Sequence, residues 1–276
     1  MKLAFSKMQG AGNDFILVDN MALTFNTEQL MKLARRICTR RLSIGADTMI
    51  VLEPAKKGGD FFARYFNADG SEAEMCGNGA RCVARYAIEH QLAGEKMVME
   101  TIAGDVPAEK INQRIFRVQL NSPSVFTKDL ALEIDGDAVL VDYVELGNPG
   151  IPHLVVRQPD LAMMETENLM DIAKKLRHHP QLEKGANVNF YDVLPDQSLV
   201  ERTYERGVED FTLACGTGTG STAYAVVQRD LVNENLVKVE VLGGELQVEV
   251  QDDQLFLIGD TNLVAEGFVL DDDLEL

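Results

Sequence analysis

Cysteine, histidine and positive charge are all scarce in this chain. Its four cysteines, Cys38, Cys76, Cys82 and Cys215 among 276 residues, have no regular spacing. That excludes a disulfide framework or a paired C-x-x-C zinc ribbon and points to reduced thiols. Of the four histidines only His153 lies in a loop that recurs in the sequence, so a cysteine nucleophile with a histidine base is poorly served. Lys and Arg number 26 against 44 Asp and Glu, a formal net charge of -18. Nucleic acid and anionic membrane surfaces both call for basic patches and are not expected partners. No run of 18 apolar residues occurs, and Met1-Lys2-Leu3-Ala4-Phe5-Ser6 is too short an apolar stretch for a signal peptide. A cytoplasmic protein without a membrane partner is expected.

What is present is a repeat. Glu74-Met75-Cys76-Gly77-Asn78-Gly79 returns 139 positions later as Leu213-Ala214-Cys215-Gly216-Thr217-Gly218. Other stations follow in the same order at nearly the same offset: Gly12 with Gly150, Gly45-Ala46-Asp47 with Gly185-Ala186-Asn187, Asn67 with Arg206, and Phe116 with Phe256. A period near half the chain is too long for a solenoid and implies two copies of one module. The first is expected to span residues 1–120, joined by a last strand within about 263–276. The second spans 121–262. Two such domains facing each other would bring the cysteine loops to one cleft.

Hydrophobic patterning predicts strands at 3–8, 15–18, 49–52 and 61–67, and a helix from Asn26 to about Arg41. Strands are expected around 97–120 and 237–258, a crossing at 121–140, and a surface helix within 160–179 stopped by Pro180. The helix after Cys215 runs Ser221-Thr222-Ala223-Tyr224-Ala225-Val226-Val227 almost without charge, so a sheet should wrap it. The Asp271-Asp272-Asp273 tail is expected to be solvated, as are His90, His178 and His179 at helix ends. Cys38 and Cys82, on apolar helices, read as core residues.

Each Cys-Gly-x-Gly precedes a helix pattern, placing Cys76 and Cys215 at helix N-termini, where the dipole and open amides favour an anion and push a thiol towards thiolate. Two like thiols in matched positions suit a two-base proton transfer at one carbon, one thiolate removing the proton and one thiol returning it from the other face. The Gly77-Asn78 and Gly216-Thr217 amides could hold a carboxylate, while Glu205 and Arg206 offer partners for an ammonium and a second carboxylate. His153 is a further site candidate. Neither loop is a Walker or dinucleotide motif. Cys76 and Cys82 are six residues apart and share no helix face, so no metal is expected there.

These residues resemble the diaminopimelate epimerase family across the whole chain, in Lys7 to Phe15, Gly45-Ala46-Asp47, the run Phe66 to Cys82, Asn187-Val188, Tyr204-Glu205-Arg206-Gly207 and Ala214-Cys215-Gly216-Thr217-Gly218. The resemblance implies two pseudo-symmetric α/β domains, each a mainly antiparallel sheet rolled round a central helix. It implies a cofactor-independent enzyme of lysine and peptidoglycan precursor biosynthesis that interconverts LL- and meso-2,6-diaminopimelate. Cys76 and Cys215 would be base and acid. Gly77, Asn78, Gly216 and Thr217 would hold the reacting carboxylate. Asn13 would line the site, Glu205 would take the ammonium, and Asn67, Asn187 and Arg206 would grip the distal end.

This chain has Gly150-Ile151-Pro152-His153 where members often have Gly-Asn-Pro-His. The segment from Glu205 to Cys215 is one residue longer than usual, and Thr219-Gly220-Ser221 replaces a continuation richer in alanine and cysteine. The alternatives are a racemase of another amino acid on the same scaffold, including the proline-racemase-like branch, or a thiol-redox or ligand-binding protein. A homodimer is compatible with the sequence, which does not set the oligomeric state.

Overall fold

In the computed structural model of the chain, which describes residues 2–270 and 274, the run Phe15-Ile16-Leu17-Val18 is fully buried. A strand apolar at every position has no face to give to water. The chain divides into two compact units, one made of residues up to Val118 together with those from Gly259, the other of Gln119–Ile258.

In the first unit, β1 (Leu3–Gly10) turns through Ala11 and Gly12, both at positive φ, into antiparallel β2 (Asn13–Asp19). Helix α1 (Thr27–Ile37) then carries the chain to β3 (Thr48–Glu53), parallel to β2. Asn26 and Gln29 form a reciprocal capping box at its start, each backbone N–H donating to the other's side-chain oxygen at 3.0 Å. Leu30, Leu33, Ala34 and Ile37 form its buried face. The helix stops four residues short of the expected Arg41. The returning chain takes its last carbonyls, with Gly45 N–H on Ile37 O and Ala46 N–H on Cys38 O. Strand β4 (Phe61–Asn67) pairs antiparallel with β3, and the short β5 (Glu72–Ala73) folds back on it. After α2 (Gly77–Glu89) come β6 (Lys96–Thr101), parallel to β4, then antiparallel β7 (Gly104–Lys110) and β8 (Ile115–Gln119).

The second unit opens with a hairpin, β9 (Pro123–Ile134) and β10 (Asp137–Leu146), turned at Asp135-Gly136 with both φ positive. The sequence suggested a crossing segment here. Alternation of Leu130, Leu132 and Ile134 instead makes it a paired strand with one face on the core. Strand β11 (Ile151–Arg157) is antiparallel to β10, and β12 (Asn187–Val193) parallel to β11. Between them the surface helix expected within 160–179 is the eight-residue α3 (Met170–Arg177), preceded by two 3₁₀ turns and burying Ala173 and Leu176. Then follow β13 (Leu199–Glu205), β14 (Asp210–Thr212), α4 (Gly216–Gln228), β15 (Leu236–Val241), β16 (Gly244–Gln251) and β17 (Gln254–Asp260). Their pairings repeat the first unit: β13 antiparallel to β12, β14 back on β13, β15 parallel to β13, and β16 antiparallel to β15. Strand β18 (Asn262–Val269) pairs antiparallel with β1.

Each unit is therefore a mixed, mainly antiparallel sheet with a central helix, and both central helices are buried nearly all round. Their close approach to the sheets needs the glycines at matched positions Gly79 and Gly218. A Cβ on Gly79 would lie 2.9 Å from Ile50 Cδ1, and one on Gly218 would run into Asn189 Oδ1. The Asp271-Asp272-Asp273 segment lies outside the described residues. Among those described, no helix is long and apolar enough to cross a membrane.

Candidate active site

In the first unit, Cys76 is the extended N-cap of α2 (φ -126°, ψ 122°), and the first helical rung joins Ala80 N–H to its carbonyl at 2.8 Å. The amides of Gly77, Asn78 and Gly79 precede that rung and have no partner within the helix. Asn78 is fully buried and donates from Nδ2 to Asn13 Oδ1 at 2.6 Å. Asn13 stands at the start of β2, beside Asp14. Burial works against the Asp14 carboxylate, yet hydrogen bonds from Arg40 and Lys7 hold its carboxyl below the usual range. Asp14 also accepts from Asp47 N–H at 2.9 Å, and Lys7 reaches the Gly45 carbonyl. The Gly45-Ala46-Asp47 station is thus a tie that fixes the β1–β2 turn. Asn67, at the exposed end of β4, donates from Nδ2 to Ser71 Oγ at 3.0 Å.

In the second unit, Cys215 is the N-cap of α4 with nearly the same backbone (φ -122°, ψ 107°), and Thr219 N–H closes the first rung on its carbonyl at 2.8 Å. Its sulfur lies 3.6 Å from Thr217 Oγ1. The sequence led us to expect a thiol pushed towards thiolate. Instead burial pushes the Cys215 thiol well up and the Glu205 charge adds to this, outweighing Thr217 and the Gly218 amide. Desolvation of a buried anion here exceeds what one helix terminus returns. None of the four cysteines forms a disulfide, and Cys38 and Cys82 are buried.

Asn187, at the start of β12, accepts Arg206 N–H on Oδ1 at 2.8 Å, and the Arg206 guanidinium donates to Lys184 O at 3.3 Å. Glu205, Arg206 and Asn187 therefore meet at one edge of this unit. His153 has no exposed surface, and burial pushes its imidazole down to about 3, so it is neutral. Its Nδ1 lies 3.3 Å from Asn189 Nδ2, a donor, which leaves the proton on Nε2. Asn189 also accepts from Thr203 Oγ1 at 3.0 Å and donates to Leu154 O at 2.9 Å, so His153 braces the strands beneath α4.

His179, expected to be solvated, is buried. Its Nε2 lies 3.2 Å from Glu133 O, and Nδ1 accepts from Gln181 N–H. A histidine at a helix end is drawn inward when both ring nitrogens find backbone partners. His178 is exposed beside Glu209, and His90 stacks on Tyr86 with ring centroids 3.9 Å apart.

Sequence reading missed two buried charges next to the cysteine helices. Arg81, on α2, is fully buried and none of its guanidinium nitrogens has a hydrogen-bond partner. Glu201, on β13, is 1% exposed and accepts from Thr219 Oγ1 at 2.6 Å and Thr222 Oγ1 at 2.5 Å. Arg81 is a charged residue between Gly79-Ala80 and Cys82-Val83-Ala84, and that interruption was the available signal; Glu201, followed by Arg202 and Thr203, gave none.

Burial pushes the Glu201 carboxyl up to about 7. A folded-state value above the unfolded one means that the native protein binds the extra proton. The contribution of Glu201 to stability is therefore full below about pH 4.5 and is lost as pH rises to about 7. Urea titrations of the wild type and Glu201→Gln across this window should show the wild type losing a few kcal/mol relative to the variant. A constant difference would mean that Glu201 is already ionised at the lower pH.

Comparison with known proteins agrees with the internal repeat. The family model described as "Diaminopimelate epimerase" matches residues 5–124 and 146–264. The diaminopimelate epimerase of Aquifex aeolicus is 37% identical, with 99% of this chain and 100% of that protein aligned. That of Archaeoglobus fulgidus is 34% identical over 98% of this chain and 97% of its own length. Among solved structures, a Bacillus anthracis phenazine biosynthesis protein of the PhzF family superposes with a TM-score of 0.73 at 17% identity, covering 98% of this chain and all of that one. A probable proline racemase from Agrobacterium radiobacter K84 gives 0.70 at 16%, with 97% and 93% covered. These two share the fold. With the family matched over both halves and curated relatives aligned end to end, the chain belongs to the diaminopimelate epimerase family of isomerases.

Proposed function

We propose that this chain interconverts LL- and meso-2,6-diaminopimelate by moving the α-proton between two thiols, Cys76 and Cys215, without cofactor or metal. The observation that carries this is the pair of cysteines at the N-caps of matched helices, each followed by amides that no helical rung uses. One sulfur removes the proton as thiolate while the other delivers one from the opposite face, so substrate and product differ at a single carbon. The α-proton is weakly acidic, and the amides of Gly77, Asn78, Gly216 and Thr217 would stabilise charge growing on the carboxylate.

Glu205 takes the ammonium at the reacting end. Asn67, Asn187 and Arg206 take the distal amino-acid end, and the hydrogen bond from Arg206 N–H to Asn187 favours their acting together. Asn13 lines the site and orients Asn78. His153, with no exposed surface, acts through Asn189. Ile151 replaces an asparagine common at this place, so distal recognition falls more heavily on Arg206. The product would feed lysine and peptidoglycan precursor synthesis in the cytoplasm, and a homodimer is the proposed assembly.

Proton NMR of LL-diaminopimelate with reduced enzyme in deuterium oxide tests the reading. Deuterium entering the α-position together with meso product is the expected result. Exchange confined to a different amino acid in a parallel panel would move the substrate. No exchange in any of them would leave a ligand-binding or redox protein.

A further inference from the structure

We infer that the two modules carry opposite buried charges which set the resting proton inventory, Arg81 holding Cys76 as the thiolate and Glu201 holding Cys215 as the thiol. This rests on the two-thiol reading, which requires one base and one acid but does not say how two thiols on similar helices come to differ.

The first charge is a cation without a counterion. Arg81 points under the start of α2. A Cβ placed on Gly10 would lie 3.3 Å from Arg81 Nη2, 3.2 Å from the Asn78 carbonyl and 3.5 Å from Cys82 Sγ. A guanidinium stays protonated, and leaving it buried and unpaired is costly, so it calls for a nearby anion. The acidic groups whose fields reach it are Cys82, Cys76 and Asp260. Asp260 is already held by Arg114. Cys82 is fully buried, and desolvation drives its thiol up to about 12 even with Arg81 and Arg85 close by. Cys76, part-exposed at the start of the helix that carries Arg81, is the group to which we assign that anion. Tyr65, fully buried with no partner for its hydroxyl, stands in the same surroundings and brings no charge.

The second module reverses the sign. The position matching Arg81 is Gly220, which has no side chain to carry a cation; a Cβ there would lie 2.7 Å from Leu120 Cδ1. Glu201 instead lies behind α4, tied to Thr219 and Thr222. Thr219 Oγ1 is also 3.0 Å from the carbonyl of Cys215 itself. The charged groups that act on the Cys215 sulfur are Glu205 and Glu201, both acidic. An anion there meets two carboxylates, offset in part by the Thr217 hydroxyl and the Gly218 amide. Thr219 belongs to the stretch in which this chain departs from its family's usual continuation.

The test is the pH dependence of iodoacetamide alkylation, followed cysteine by cysteine by peptide mass spectrometry on the whole reduced chain, with Cys38 and Cys82 as buried controls. In the wild type, Cys76 should titrate at lower pH than Cys215. Arg81→Met should raise the apparent pKa of Cys76 by about one unit or more, roughly tenfold less thiolate at a given lower pH, and leave Cys215 unmoved. Arg81→Lys, which keeps the charge, should restore most of the wild-type profile. Glu201→Gln should lower the Cys215 value by about one unit and leave Cys76 unmoved.

If Arg81→Met does not fold, the wild-type order and Glu201→Gln still decide. Cys215 titrating below Cys76 would overturn the inference, as would a Cys215 profile that ignores Glu201. Because the readout is thiol ionisation, such a result leaves the two-thiol reaction standing. Turnover that survives loss of either cysteine would instead remove that reaction, whatever the profiles show.

Discussion

Cys76→Ala and Cys215→Ala should each lower epimerisation of LL-diaminopimelate by at least about 10³-fold, the scale expected when a positioned acid or base is lost. The two variants should fail alike, because inversion needs a proton taken from one face and returned to the other. Neither substitution should cost the fold much. Neither cysteine side chain caps its helix, and alanine at position 215 gives up the weak contact of the sulfur with Thr217 Oγ1. Cys215 is 8% exposed and the variant loses one buried sulfur, which costs about 1 kcal/mol. Circular dichroism and the urea midpoint should therefore stay near wild type while α-deuterium appearance and meso product disappear. A variant that epimerises within tenfold of wild type would show that its sulfur is neither acid nor base.

The largest expected loss of stability lies away from the cysteines, at Arg64 on β4. Its guanidinium grips Glu72 with two hydrogen bonds, at 2.7 and 2.9 Å, and reaches Glu53 Oε1 at 3.3 Å and Thr27 Oγ1 at 3.0 Å. One side chain thus joins β3, β4, β5 and the first residue of α1. The Arg64 and Glu53 side chains are 9% and 7% exposed, so water screens them little. Arg64→Met would leave the Glu53 carboxylate buried with Asn20 Nδ2, at 3.0 Å, as its remaining donor.

Removing one partner of such a pair costs about 3–5 kcal/mol, mostly the penalty of the charge left behind. The urea midpoint should fall with the slope unchanged. Adding Glu53→Gln to Arg64→Met should recover part of the loss, because it removes the stranded charge. A single-variant loss under about 1 kcal/mol would mean that water reaches the cluster and screens it.

Much of this protein is legible in its sequence because the signals are local. Two cysteines followed by Gly-x-Gly predict N-caps, since a helix start needs a residue in extended conformation followed by close backbone packing. Runs such as Phe15 to Val18 announce buried strands by leaving water no face. The repeat is legible because residue identity survives at the turns, where few residues fit. The helix expected within 160–179 is α3, and the 3₁₀ turns before it were not legible because helical periodicity says nothing about them.

The sequence by itself determined the duplicated modules, the cysteine pair at helix N-termini and the family to which the chain belongs. Each of these follows from spacing and from backbone geometry that particular residues impose. The tertiary structure alone decided which charges are buried and what they face. Arg81 and Glu201 are ordinary charged residues in a linear chain. They become an unpaired cation and a carboxyl raised to about 7 because the fold takes water from both, and gives one a pair of hydroxyls and the other no hydrogen-bond partner. The same removal of water reverses what the helix N-terminus promises for Cys215, since desolvation depends on every residue packed around a group and no sequence interval records it.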